Sequence, residues 1–409
     1  MEEMRFSARK RPPWLRMAVI LSLPVLIASS CADSSPDPDE EHQVPSCTLT
    51  PLPAPSTATV TVGNADELLA AVQRANDEGN LAILLEDGTY ALDDMLWISG
   101  SHVSFRGRSG NRDAVVIRGQ GMDGGVSHVF NVAGSHFTAA DLTVGWVANH
   151  AVQVHSSADS PVIHNVRFVD TGEQMLKVST VAGESAGADN GLVEWCLFEY
   201  SAGVGPQYYI GGIDAHQARQ WTIRRNVFRH IRSPEADLAE HAVHFWNGSS
   251  QTLVEGNSIT DCDRGIGFGM DDRGHSGGII RNNMVHTTRD VGIGLESASG
   301  TEVYHNSVFS ENYGNAIEYR FPRTRGVVII NNLTNAAIAG RDGGSGRVET
   351  NVTAAQAAWF VAAGSGNLHL AASNPAVVDQ GQALAAVAQD FDCENRPKGA
   401  GYDAGADEF

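Results

Sequence analysis

Lys177, Asp214 and His244 follow one another at separations of 37 and 30 residues, and His216 and Trp246 each stand two positions beyond the last two of them. An ammonium beside a carboxylate keeps its charge, and an imidazole beside a carboxylate has its tautomer fixed and becomes a usable general base. Such a set could remove a proton next to a carboxyl group while positive charge stabilises the anion that forms. A plain ladder of ion pairs is the alternative use of the same residues. Glu296 and Glu318, with Arg320, form a second set that could serve hydrolysis of a glycosidic bond. Residues so far apart in the chain act together only if the fold stacks them.

The chain carries a repeat that would do so. Segments of the form V/I-x-x-N-x-apolar recur as "IHNVRF", "VEWCLF", "IRRNVF", "VEGNSI", "IRNNMV", "VYHNSV" and "IINNLT". They align Asn165, Cys196, Asn226, Asn257, Asn283, Asn306 and Asn332, at separations of 31, 30, 31, 26, 23 and 26 residues. A period of that size, built from short β-branched and aromatic runs and turns, is the signature of a solenoid, with a ladder of side-chain amides at one corner. Each repeat has a second apolar pair: Val152/Val154, Leu176/Val178, Ile213/Ala215, Val243/Phe245, Ile266/Phe268, Ile293/Leu295 and Ile317/Tyr319. If these point inward, alternation sends one column outward as Gln153, Lys177, Asp214, His244, Gly267, Gly294 and Glu318. A parallel column reads His155, Ser179, His216, Trp246, Gly269, Glu296 and Arg320.

Rungs about 4.8 Å apart let distance rank the chemistries. Asp214 and Glu296 would be roughly 14 Å apart, too far for a hydrolytic pair, whereas Glu296 and Glu318 would be roughly 8 Å apart, suited to inversion. Arg320 should lie directly over Glu296, which makes a cross-strand ion pair the commoner explanation. Gly265, Gly267 and Gly269 are expected to form a bare floor on which a sugar ring stacks against Trp246, or to admit an overlying loop. Arg264, Arg273 and His275 are candidates for local positive charge, and Asp261, Asp263, Asp271 and Asp272 for calcium. Glu240 and His241 open the "EHAVHFW" strand and could reach the groove edge, although a turn position is the commoner expectation for both.

The helix-forming "GNADELLAAVQRANDEGN", with Asn64 and Glu67 at capping-box spacing and Leu68, Leu69, Val72 and Ala75 on one face, precedes "LAILLEDGTYAL". No further convincing helix follows until about residue 353. This start, the asparagine ladder and the closing "DFDCENRPKGAGYDAGADEF" resemble the right-handed parallel β-helix proteins of the pectate-lyase-like superfamily, over about residues 60 to 409. The resemblance implies an all-β, single-stranded right-handed parallel β-helix over residues 59–409 with a short N-terminal capping helix. It spans lyases, hydrolases, epimerases and adhesins, so it implies a fold more than a reaction. "EQMLKVST" is similar to the Glu-to-Lys-Ser segment of alginate and chondroitin lyases of this fold, which implies Lys177 as the base and Glu173 as a calcium ligand. It departs from that pattern in the Glu–Lys spacing, in the valine before Ser179, and in Asp214 and His216 where an arginine is expected one rung on. The expected function is cleavage of a uronate-containing polysaccharide by β-elimination, with a polysaccharide hydrolase or a non-catalytic carbohydrate-binding solenoid as alternatives.

Arg5, Arg9, Lys10, Arg11 and Arg16 precede the short apolar run "MAVILSLPVLIASS", as in a secretory signal over residues 1–30. "IASSC" resembles a lipoprotein cleavage site, which implies lipidation of Cys31, export and an outer-membrane or cell-surface location; ordinary signal cleavage is the alternative. Residues 31–58, rich in proline, serine and acid, read as a tether. The chain holds 28 Lys+Arg and 48 Asp+Glu; without residues 1–30, which hold five and two, the balance is 23 against 46, or −23. Such a surface has no footprint for nucleic acid, and an acidic polysaccharide would need a local basic patch. Besides Cys31, Cys47 with Cys393 and Cys196 with Cys262 are candidate disulfides.

Overall fold

The computed structural model describes residues 47–180 and 187–409. The expected signal segment, Cys31 and most of the tether lie outside the described residues. Short strands pair in parallel with those one coil before and after, so the chain winds as a right-handed parallel β-solenoid of about 11 turns. One face runs from Ala58–Val62 to Gly346–Glu349 and a second from Gly88–Ala91 to Leu333–Thr334. The long strands Thr138–Val147 and Val162–Thr171 belong to both faces. The third face is a sheet of ten strands, from Leu96–Ile98 to Ala337–Arg341, and carries the outward columns described above.

Identical positions stack inside the coil because each strand feeds the same slot one rung on. Phe168, Phe198 and Phe228 stack in this way, with ring centroids 4.4 and 4.6 Å apart. The α-helix Ala65–Glu78 covers the open end, capped by the Asn64 side chain, which accepts the Glu67 N–H at 3.0 Å. Its buried face is Leu68, Ala71, Val72 and Ala75; Leu69, expected there, is 49% exposed, and Ala71 sits against the coil instead. Beyond residue 353 the only helices among the described residues are single 3-10 turns, Ala357–Trp359 and Ala363–Ser365.

The amide ladder is continuous from Asn226 through Asn257, Asn283, Asn306 and Asn332 to Asn351, each Nδ2 donating to the next Oδ1 at 2.9 to 3.0 Å. Asn351 extends the row beyond the sequence motif. Cys196 occupies the row, its N–H bonded to Asn226 Oδ1 at 2.9 Å, but the position before it is Val166, whose N–H meets Cys196 Sγ at 3.4 Å. Asn165 therefore stands one residue ahead of the ladder, at a left-handed corner with φ +51°, and donates to Asp141 instead. Asparagine is favoured both in the ladder and at that corner, which is why the motif slips by one there.

Asn283 is fully buried, and its amide serves Val254 O, Arg281 O and the two neighbouring asparagines. Asn283→Ala should lower stability by about 3 kcal/mol, because several buried polar groups lose their partners together, whereas Asn165→Ala should cost about 1 kcal/mol. Urea unfolding of the two variants side by side checks this; equal losses would mean that the ladder is not cooperative.

Cys47 and Cys393 form a disulfide, which ties the start of the described chain to the C-terminal segment folded back along the coils. Cys196 and Cys262 are free and buried. They occupy opposite ends of one face: Cys196 precedes the strand Leu197–Glu199, whereas Cys262 closes Ser258–Cys262 two rungs on, so their sulfurs cannot meet.

Candidate functional site

The inward pairs of the third face are buried, and the register stacks their outward neighbours as alternation requires. Lys177 pairs with Asp214, Asp214 with His244, His244 with Gly267, Gly267 with Gly294 and Gly294 with Glu318; His216 pairs with Trp246 and Glu296 with Arg320. Asp214 is the hub. Its Oδ2 forms an ion pair with Lys177 Nζ and lies 3.7 Å from His216 Nε2. Its Oδ1 accepts the Trp246 indole N–H at 2.5 Å and lies 3.6 Å from His244 Nδ1. Lys177 Nζ is also 3.3 Å from His216 Nε2.

This cluster lies outside the coil, but Lys177, Asp214 and His244 are only 7%, 4% and 1% exposed. Burial alone would raise the Asp214 pKa; Lys177, then His244 and His216, outweigh it and hold the carboxyl below its ordinary value. His216 is different: its side chain is 21% exposed, and burial followed by the Lys177 charge lowers its pKa to about 4, so the ring is neutral at pH 7.

The glycines have separate reasons. A side chain at Gly265 would run into the carbonyl of Gly292, and one at Gly269, with φ +76°, into that of Glu296. Both permit close stacking of coils, and Gly269 also lines a cleft on this face. Gly267 is covered by the His241 ring, 2.8 Å from where a methyl would stand. Trp246 does not offer a free face either: His244 stacks nearly parallel to it and Arg273 lies 4.1 Å above the ring centroid. His275 is no source of positive charge, because it is buried against Phe268 with its pKa lowered by burial to about 3.

Both candidate hydrolytic carboxylates are engaged. Glu296 pairs with Arg320 at 3.2 Å and accepts the Asp271 N–H. Glu318 accepts from Tyr313, Asn315 and Arg341; burial pushes its pKa up, but these three partners outweigh it and hold the carboxyl below its ordinary value. Among the candidate calcium acids, Asp263 is buried and ion-paired to Arg289 at 3.0 Å and Asp261 to Arg232 at 3.0 Å. Glu173 faces His150 Nε2 at 3.4 Å and joins no group of three candidate metal-binding side chains among the described residues.

A cleft of about 230 Å³ opens beside the cluster, lined by His241, His244, Arg264, Glu296, Tyr313 and Glu318 among others. Arg264 is held there by Asp290 at 3.1 Å. The sequence favours a turn for Glu240 and His241, with the groove edge as the alternative; both border the His244 ring, with the His241 and His244 centroids 4.7 Å apart. Burial, then His244 and Arg264, push the His241 pKa well down, so that ring is neutral. The signal for them was the E-H-x-x-H spacing at the entry to the strand. His150, buried behind Lys177 with its pKa lowered by burial to about 3, carried no such signal.

Residues 211–354 match the family described as "Right handed beta helix region". A comparison of the sequence with curated proteins finds no match. Among solved structures, the chain is similar to the pectate lyase Pel9A, with TM-score 0.54 and 12% identity over 82% of this chain and 90% of that one. It is also similar to an alginate lyase from Paenibacillus sp. str. FPU-7, with TM-score 0.40 and 14% identity over 63% and 97% of the two chains. A third is the PL6 family polysaccharide lyase Pedsa3628 from Pseudopedobacter saltans, with TM-score 0.40 and 15% identity over 69% and 77%.

Proposed function

We propose that this β-helix acts on a polysaccharide and cleaves a uronate-containing chain by β-elimination on the face that carries Lys177, Asp214 and His216. The observation that carries the reading is His216, a part-exposed imidazole held neutral 3.3 Å from the Lys177 ammonium. Elimination needs an unprotonated base at the carbon beside the uronate carboxyl, and positive charge on that carboxyl as the anion develops. His216 supplies the first once the Lys177 ammonium turns from its Nε2 to the uronate carboxyl. Lys177 and Arg273, the guanidinium lying over Trp246, supply the second. Lys177 is closed in an ion pair with Asp214, so this reading moves the base from the lysine that the resemblance implies to the histidine one rung on. Hydrolysis is less well served, because its general acid must hold a proton and Glu318 is kept ionised. The pectate lyase Pel9A has a similar fold, which agrees with this reading.

The test is incubation with alginate, pectate and glycosaminoglycans, following ultraviolet absorbance of unsaturated uronate together with new reducing ends. Elimination gives both signals. Reducing ends without absorbance would move the reaction to hydrolysis, and binding with neither signal would make the face a carbohydrate-binding surface.

A pH profile of kcat/KM adds a sign. The groups facing His216 are Lys177, Asp214, His244 and Arg273, and the ring takes a proton only near pH 4. As a base it is active above that pH and inactive below, so the acid limb should fall near pH 4 rather than near 6.5. A limb at about 6.5, the ordinary histidine value, would exclude His216.

A further inference from the structure

We infer that Glu240, His241 and His244 form a binding site for one divalent transition-metal ion of the zinc class. One donor atom from each residue lies within 4.8 Å of those of the other two. Glu240 Oε2 and His241 Nδ1 are buried without a hydrogen-bond partner among the described residues, a costly state for polar atoms unless something binds them. His244 Nε2 donates to Gly269 O at 3.2 Å, which leaves its Nδ1 with a free lone pair. That nitrogen faces Asp214 Oδ1 at 3.6 Å and Glu240 Oε2 at 3.9 Å. A bare nitrogen between two carboxylate oxygens, neither within hydrogen-bond reach, is a setting that a cation completes. An imidazole whose other N–H is anchored on a backbone carbonyl is also the usual form of an oriented metal ligand.

The local fold builds the site. On a regular strand a spacing of three would place His241 and His244 on opposite faces. Here Ala242 and Val243 both belong to the buried core, and the His241 and His244 rings come together with centroids 4.7 Å apart. Gly267, on the next rung, makes the cradle: any side chain there would fill the place of the His241 ring.

Two imidazoles and a carboxylate suit zinc and its neighbours, whereas calcium takes six to eight oxygens. Donors about 2.1 Å from one tetrahedral ion stand about 3.4 Å apart, so loading must close the triad by about an ångström. Arg264 Nη1 lies 3.9 Å from Glu240 Oε2, but Asp290 holds that guanidinium more closely, at 3.1 Å. Three protein ligands leave a fourth position open toward the cleft, as in a metal site that receives a water or a substrate oxygen. The inference stands whether or not His216 performs elimination, because metal uptake is read without substrate.

The test is calorimetric titration of the purified, untagged protein, stripped with EDTA, with zinc chloride. One ion should bind. His241→Ala should abolish uptake, and Gly267→Ala, which displaces the His241 ring, should weaken it about 10- to 100-fold. His369→Ala, in the separate His369, Asp392 and Asp407 group, should leave that ion bound. Cobalt(II) added to the wild-type protein should give the visible bands of a four-coordinate ion, bleached by zinc, a readout that depends on no variant folding. Calcium chloride should give no heat at this site. Absence of zinc uptake by the wild type, or uptake that survives His241→Ala, would overturn the inference.

Discussion

Asp214→Asn is expected to destabilise the folded protein by about 3 to 5 kcal/mol, the usual cost of leaving one member of a buried ion pair alone. The substitution keeps the shape of the side chain and an oxygen for the Trp246 indole N–H, so what it removes is the charge beside Lys177. With the lysine only 7% exposed, water cannot replace the lost partner. Adding Lys177→Met to the same protein should recover most of the loss, because a pair removed as a unit takes its desolvation cost with it. Denaturant midpoints of the wild type, both single variants and the double variant measure the coupling. A single variant as stable as the wild type would mean that the two side chains are not closed on each other in solution.

His216→Gln should lower kcat by about 10²- to 10⁴-fold, the range expected when a positioned general base is removed. KM should change much less, because the positive groups that would hold the uronate, Lys177 and Arg273, remain. Glutamine can still accept from Lys177 Nζ, so the fold should survive, with a stability change of about 1 kcal/mol or less. Single-turnover rates on the substrate identified by the panel separate chemistry from binding. Turnover within about threefold of the wild type would place the base elsewhere on the face, because removal of a true general base costs far more.

The contrast between these two residues shows how the face works under the proposed reading. Asp214 is central to the cluster and shut away from solvent, so its removal is read first as lost stability. His216 sits at the edge of the same cluster with its ring part-exposed, so its removal is read first as lost turnover.

The outward columns were legible in the sequence residue by residue. Lys177 over Asp214, Asp214 over His244, His216 over Trp246 and Arg320 over Glu296 all follow from two local rules, alternation along a strand and stacking of equivalent slots one coil apart. The ladder was legible for the same reason, except at Asn165, where two backbone roles favour the same residue type. The Cys47–Cys393 bond, one of two candidate pairings, depends on where the last segment folds back, which no repeat encodes.

What the tertiary structure alone decided is the company each outward side chain keeps. The sequence could order His244, Trp246 and Gly267 in columns, but not place Arg273 on the indole or the His241 ring over the glycine. Those contacts come from turns and a strand entry outside the periodic part of each coil, where Ala242 and Val243 break the alternation. The physical reason is that period and register are properties of the backbone, repeated in every coil. Burial, ion pairing and pKa depend on non-periodic segments brought together from coils far apart in the chain, and these determine which of the stacked residues is shut away and which meets solvent.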